Sequence, residues 1–196
     1  MTGPIKLKAP LSDSDVAELK IGDEVLLSGV IYAARDAAHT RLMELLASGK
    51  ELPIKIEGQV LYYVGPAPPR PGEVIGPAGP TTSCRMDPYT PPLLKLGLKG
   101  MIGKGKRSEE VIEAMKKHRA VYFAAVGGAA PLLMKKIKKA ELVAFEELGT
   151  GALRRLEVED FPLIVANDIY GNDLYDAARK RYSRAASRGR DRKMRD

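Results

Sequence analysis

The 196-residue chain contains one cysteine, Cys84. No internal disulfide can form, and a reducing compartment such as the cytoplasm is the simplest setting. There is no uninterrupted apolar run of about 18 residues, so no membrane-spanning helix is expected. Met1–Pro10 lacks the apolar core of a secretory leader. Paired carboxylates at catalytic spacing are missing, as is any set of His, Cys, Asp and Glu at metal-ligand spacing. Whatever chemistry the chain takes part in, it brings no metal centre of its own.

The net charge of +7 raises the question of a nucleic-acid partner. Its distribution answers it. Arg179–Asp196 holds nine of the 32 basic residues and two of the 25 acidic ones, so this stretch carries the whole excess. Met1–Ala178 is neutral, and no basic face interleaved with aromatics is visible in it. The pattern argues against nucleic acid and divides the chain into a domain at 1–178 and a basic tail at 179–196. Such a tail suits a solvated helix end or a segment packed on another subunit.

Hydrophobic periodicity predicts strands and helices in mixed order. Pro10–Asp13 opens a short helix, with Ser12 or Asp13 as its N-cap. Val25–Ile31 reads as a strand, and Ala34–Ser48 as a helix that Gly49 stops. Gln59–Val64 is a strand running into the stiff loop Gly65–Gly72. Pro80 is expected at the first turn of a helix. Gly100–Gly103 ends a strand, Ser108–His118 is helical, Ala120–Val126 a strand, Gly127–Gly128 a turn and Pro131–Lys138 a helix. Glu141–Phe145, Leu153–Val158 and Phe161–Ala166 read as separate short strands, and Leu174 to about Ala186 as a terminal helix. The sum is a layered α/β domain.

Three polar clusters sit where a strand hands over to a loop or helix, the usual place for ligands in α/β sheets. In Arg35-Asp36-Ala-Ala-His39, helical spacing places Arg35, Asp36 and His39 together, and an Asp–His pair can fix an imidazole tautomer. Gly79-Pro-Thr81-Thr82-Ser-Cys84-Arg85 combines three hydroxyls with a cation near an expected helix start. In Gly103-Lys104-Gly-Lys-Arg-Ser108, glycines let backbone N–H groups approach an anion while Lys104 adds charge. The spacing is not that of a Walker A loop. Each cluster taken alone is also what a surface ion pair, an N-cap or a solvated turn would produce. Cys84, without other cysteines nearby, reads as a small buried residue. Together the clusters offer Arg35, Arg85 and Lys104 to a small dianion such as a dicarboxylate.

Ser28–Arg41, Gly79–Asp87, Gly103–Ser108 and Gly171–Leu174 occur in an order that resembles the beta subunit of class I fumarate hydratase and is similar to that of L-tartrate dehydratase. The resemblance runs from about Ile5 to Tyr175. It implies a swivelling β/β/α layered domain with a mixed sheet. It also implies a hetero-oligomer with an alpha subunit whose cysteines hold a [4Fe–4S] cluster, and a reversible dehydration of L-malate to fumarate. By the family motifs Arg35, Arg85 and Lys104 would grip substrate carboxylates. His39 and Thr81 would be the catalytic pair, with Asp36 orienting His39 and Thr82 in support. Cys84 and Lys106 depart from common fumarase patterns, at positions often small and often Asn. Tartrate dehydration, and a non-catalytic anion-binding assembly module, are the alternatives.

Overall fold

The computed structural model describes residues 3–125 and 130–182. The expected Gly127–Gly128 turn, the end of the terminal helix at 183–186 and most of the basic tail lie outside them. The order is β1 (Ile5–Ala9), α1 (Asp13–Ala17), β2 (Glu24–Ala33), α2 (Asp36–Ala47), β3 (Val60–Tyr62), a 3₁₀ segment (Ser83–Tyr89), α3 (Thr90–Lys95), β4 (Gly100–Gly103), α4 (Glu109–His118), β5 (Val121–Ala124), α5 (Ala130–Lys135), β6 (Ile137–Ala144), a second 3₁₀ segment (Glu146–Gly151) and β7 (Leu153–Asn167). Residues 174–182 are helical.

Local chemistry accounts for the element ends. Ser12 caps α1 in a reciprocal box, its hydroxyl accepting from the Asp15 N–H while the Asp15 carboxylate accepts from the Ser12 N–H. Ser108 caps α4 through the Val111 N–H, two glutamates open that helix, and basic residues fill its last turn, as the helix dipole favours.

The seven strands among the described residues form one mixed sheet. β1, β2, β3, β4 and β5 pair in parallel in that order, and β7 runs antiparallel to β2, β5 and β6. Because β7 pairs with both β5 and β2, the circuit β2–β3–β4–β5–β7 closes on itself. The two-residue side-chain period then sorts the strands into two cores. Val60, Tyr62, Ile102, Val121 and Phe123 enter one, with Val16 and Leu19 from the α1 region. Leu61, Tyr63, Met101 and Tyr122 enter the other, with Ala38, Leu93, Leu94, Val111 and Met115 from α2, α3 and α4.

Three expectations change. The helix foreseen at Pro131–Lys138 ends at Lys135, and the strand foreseen at Glu141–Phe145 is β6, which already begins at Ile137. The two strands foreseen at 153–158 and 161–166 are one, β7, which takes up a register shift opposite Leu27–Gly29 and a left-handed turn of backbone at Asp160 (φ 47°). The Asp160 N–H is not lost there, since it donates to Ser28 Oγ at 3.0 Å. A bulge bends a strand without ending it, which charge patterning and Pro162 conceal in the sequence. Pro80 does not open a helix. Thr81–Thr82 is extended, and the 3₁₀ segment starts only at Ser83.

Candidate active site

Parallel pairing fixes the site before any side chain is considered. Ala33 of β2 lies opposite Tyr62 of β3, and Tyr62 opposite Ile102 of β4, so three strands deliver their C-terminal ends to one edge. Arg35 follows β2, Gly65 follows β3 and Lys104 follows β4. Thr81–Ser83 is then inserted between the last two. The Thr81 N–H donates to the Tyr63 carbonyl (2.8 Å), the Lys104 N–H to the Thr81 carbonyl (3.2 Å), and the Ser83 N–H to the Lys104 carbonyl (2.9 Å). All three sequence clusters therefore meet at one edge.

The insertion depends on glycine. A Cβ at Gly103 would lie 2.0 Å from Ser83 Oγ, whose hydroxyl is hydrogen-bonded to Tyr122 Oη at 2.8 Å, and 3.0 Å from Tyr63 Cδ2. Gly103→Ala is expected to lower stability by about 2 kcal/mol, the overpacking range, read as a lower urea midpoint at unchanged m-value. Gly65 serves Arg35 in the same way. A Cβ there would come within 2.6 Å of Arg35 Nη1 and 2.7 Å of Arg35 Cδ, so the guanidinium lies flat against the bare backbone.

The electrostatics centre on Asp36. Its carboxylate forms an ion pair with Arg85 and lies 3.5 Å from Arg35 Nε. Burial pushes this carboxyl up, but Arg85, the Ala37 N–H and Arg35 outweigh it and hold it below the usual carboxylate range. Lys104 is exposed and makes no ion pair among the described residues. Thr81 is half-buried, and its hydroxyl has no hydrogen-bond partner among the described residues. Thr82 is exposed at the 3₁₀ N-cap without a side-chain cap bond. The edge gathers three cations, one carboxylate and the hydroxyls of Thr81 and Thr82, neither hydrogen-bonded among the described residues.

The family model described as Fumarase C-terminus matches residues 2–178. The chain belongs to that family. Among its relatives, fumarate hydratase 2 of Leishmania major is 38% identical over 175 residues, covering 87% of this chain and 31% of the relative. The anaerobic class I fumarate hydratase of Escherichia coli K12 is 39% identical, covering 87% and 32%. A Methanocaldococcus jannaschii protein, provisionally named an L(+)-tartrate dehydratase beta subunit, is 39% identical over 177 residues, covering 87% of this chain and 91% of its own length. The chain thus spans about a third of the fumarate hydratases it matches and nearly all of the separate beta subunit.

Within this fumarase C-terminal domain, three residue assignments need correction. Asp36 does not orient His39, because its carboxylate is drawn to the two arginines. The imidazole is held by Arg35, whose backbone carbonyl accepts from Nδ1 at 2.7 Å. A carbonyl cannot donate, so the proton sits on Nδ1 and Nε2 carries the lone pair. Nor does His39 offer an exposed nitrogen in this chain. It is completely buried, its ring 5.5 Å from that of Tyr63 and 5.9 Å from that of Tyr89, and Nε2 is enclosed without a hydrogen-bond partner. Cys84 is exposed rather than buried, because the 3₁₀ turn faces its neighbours Ser83 and Met86 inward.

Burial, reinforced by the nearby Arg107 charge, lowers the His39 pKa from the ordinary 6.5 to about 4. The unfolded chain therefore binds this proton more readily than the folded one. Stability is fully present above pH 6.5 and falls as pH drops towards 4, by at most about 1.4 kcal/mol per pH unit. Thermal melts across that window should show the slope, and His39→Gln should flatten it.

Beneath the edge lies a latch that motif reading passed over. Arg107, its side chain wholly buried, donates from Nε to Asp87 Oδ1 (2.7 Å) and from Nη2 to Thr90 Oγ1 (2.8 Å). It stacks 5.4 Å from the Tyr63 ring centroid and 5.1 Å from that of Tyr122. Asp87 Oδ2 accepts the Ser108 N–H at 2.8 Å. Both residues stand inside the motif strings, but only the fold reveals that they bind the 3₁₀ segment to the start of α4. The Lys104 loop is clamped too. The Gly105 N–H donates to Tyr175 Oη (3.1 Å), and the Gly105 carbonyl accepts from Tyr122 Oη (2.9 Å).

One thiol in the whole sequence does not fit the ligand set of an iron–sulfur cluster, which takes three or four cysteines. No group of three or more His, Cys, Asp and Glu poised for a metal occurs among the described residues. No helix among them is long and apolar enough to cross a membrane.

Proposed function

We propose that this chain is the beta subunit of an iron–sulfur hydro-lyase that interconverts L-malate and fumarate. It would give substrate-binding groups to a site shared with an alpha subunit that carries the [4Fe–4S] cluster. The observation that carries this reading is the meeting of Arg35, Arg85, Lys104 and Thr81 at one sheet edge in a domain of the fumarase family. Any Lewis-acid chemistry on the departing hydroxyl belongs to the partner, and no step on this chain depends on it.

This chain's own part is electrostatic. Removing a proton beside a carboxylate drives negative charge into that carboxylate, and fixed cations at its position stabilise the transition state by about 3 kcal/mol per donor. Arg35 and Arg85 present guanidinium edges suited to carboxylates, and Lys104 adds a point charge. Thr81 is the proton-handling group that remains once His39 is set aside. A free alcohol is a weak base, so its activation must come from a group the partner or the substrate brings. His39 acts through Arg35, fixing the backbone from which the guanidinium extends.

Residues 1–178 are the family domain, of swivelling β/β/α type, with 179–196 a basic extension of it. The separate M. jannaschii subunit supports a two-chain arrangement. A reducing cytoplasm suits the exposed thiol. Co-expression with the cluster-bearing subunit, followed by parallel assays of fumarate hydration and tartrate dehydration, tests the reading. Oxygen-sensitive malate formation is expected to dominate. Dominant tartrate turnover would move the chain to the sister activity, and turnover of neither would leave a binding module.

A further inference from the structure

Asp36 is an unusual presence in a site meant for anions. It occupies the first turn of α2 at the mouth of the anion-binding edge, and its carboxylate engages both arginines assigned to substrate. The half-buried Asp36 side chain satisfies one edge of the Arg85 guanidinium and lies against Arg35, whose stem is pinned on Gly65. An anion arriving at this edge meets three cations and one fixed anion, a net charge of +2 from this chain.

We propose that Asp36 is a specificity-determining residue that makes the edge select a dicarboxylate over a tricarboxylate. It does so in two ways. It removes one unit of positive charge, so a dianion is matched and a trianion is left with an excess negative charge. It also consumes a guanidinium edge that could otherwise receive a third carboxylate, which is discrimination by an unfavourable alternative rather than by a better contact. Helix geometry supports the role. At the N-terminal turn of α2, Asp36 is stabilised by the helix dipole and is not free to swing aside as a loop carboxylate would. The inference rests on the proposed substrate reading. Charges contributed by the partner are common to wild type and variant and cancel in a ratio.

The test measures binding directly, by calorimetry on the assembled two-subunit complex, with succinate as dianion and tricarballylate as trianion at a pH where all carboxylates are ionised. Asp36→Asn keeps the shape and removes the charge. It should shift the ratio of the two dissociation constants at least tenfold in favour of tricarballylate. Asp36→Glu should keep the ratio within about twofold of wild type while weakening both ligands, since the charge stays and the spacing changes. A ratio unmoved by Asp36→Asn, with both affinities falling together, would make Asp36 merely structural and overturn the inference. If Asp36→Asn fails to assemble, Asp36→Glu decides, and a large ratio change in it overturns the inference. Wild-type complex that binds succinate without turning over fumarate or tartrate would sink the catalytic reading while the ratio still judged Asp36. Wild-type complex that binds neither anion would overturn both.

Discussion

Asp87→Ala is expected to destabilise the chain by about 3–5 kcal/mol, the penalty for leaving a buried charge without its counter-ion. For a chain of this size, that is a melting temperature roughly 10 °C lower. The Arg107 side chain has no exposed surface, and Asp87 supplies its only carboxylate among the described residues. Thr90 and the two tyrosine rings remain in the variant, but neither neutralises a guanidinium. The same carboxylate also satisfies the Ser108 N–H, so the start of α4 loses a partner in the same step. Removing both ends of the pair should behave differently. Asp87→Ala combined with Arg107→Met leaves no orphaned charge and should regain much of the loss. Thermal melts of the two variants separate a latch made by the ion pair from one made by packing alone.

Arg85→Ala is expected to lower kcat/KM for fumarate about 100-fold in the assembled enzyme, the loss of a charge-assisted pair that tightens in the transition state. Stability should change little, because the Arg85 side chain is half-exposed and surface ion pairs contribute at most about 1 kcal/mol. That contrast with Asp87→Ala is the useful one. Arg85 and Asp87 stand two positions apart, yet one is expected to matter for turnover and the other for folding. Arg85→Lys retains the charge but not the forked geometry and should fall between wild type and alanine.

The candidate site was legible in the sequence to the extent that its contacts are local. Arg35 after β2 and Lys104 after β4 could be placed because strand ends announce themselves through periodicity and glycine. What escaped depends on contacts between distant segments. The partner of Asp36 is Arg85, 49 residues on, and local spacing suggested the nearer His39 instead. His39 lies one helical turn beyond Arg35, and only the packing of Tyr63 and Tyr89 around it determines that it is buried. Thr81–Thr82 resembles a helix entry, yet becomes extended because the ends of β3 and β4 offer it backbone partners on both sides. β7 read as two strands because a bulge at Asp160 looks like a turn when its partner β2 is out of view. Arg107 read as part of a basic loop, since burial of a guanidinium requires an Asp87 that arrives from another element.

The most direct measurement of the central claim is the rate of malate formation from fumarate by three anaerobic preparations: this chain, the cluster-bearing subunit, and the two assembled. If the site is shared, only the assembly turns over, and it loses that turnover when this chain carries Arg85→Ala. Full turnover by the cluster-bearing subunit alone, or by the assembly with Arg85→Ala, would contradict the account.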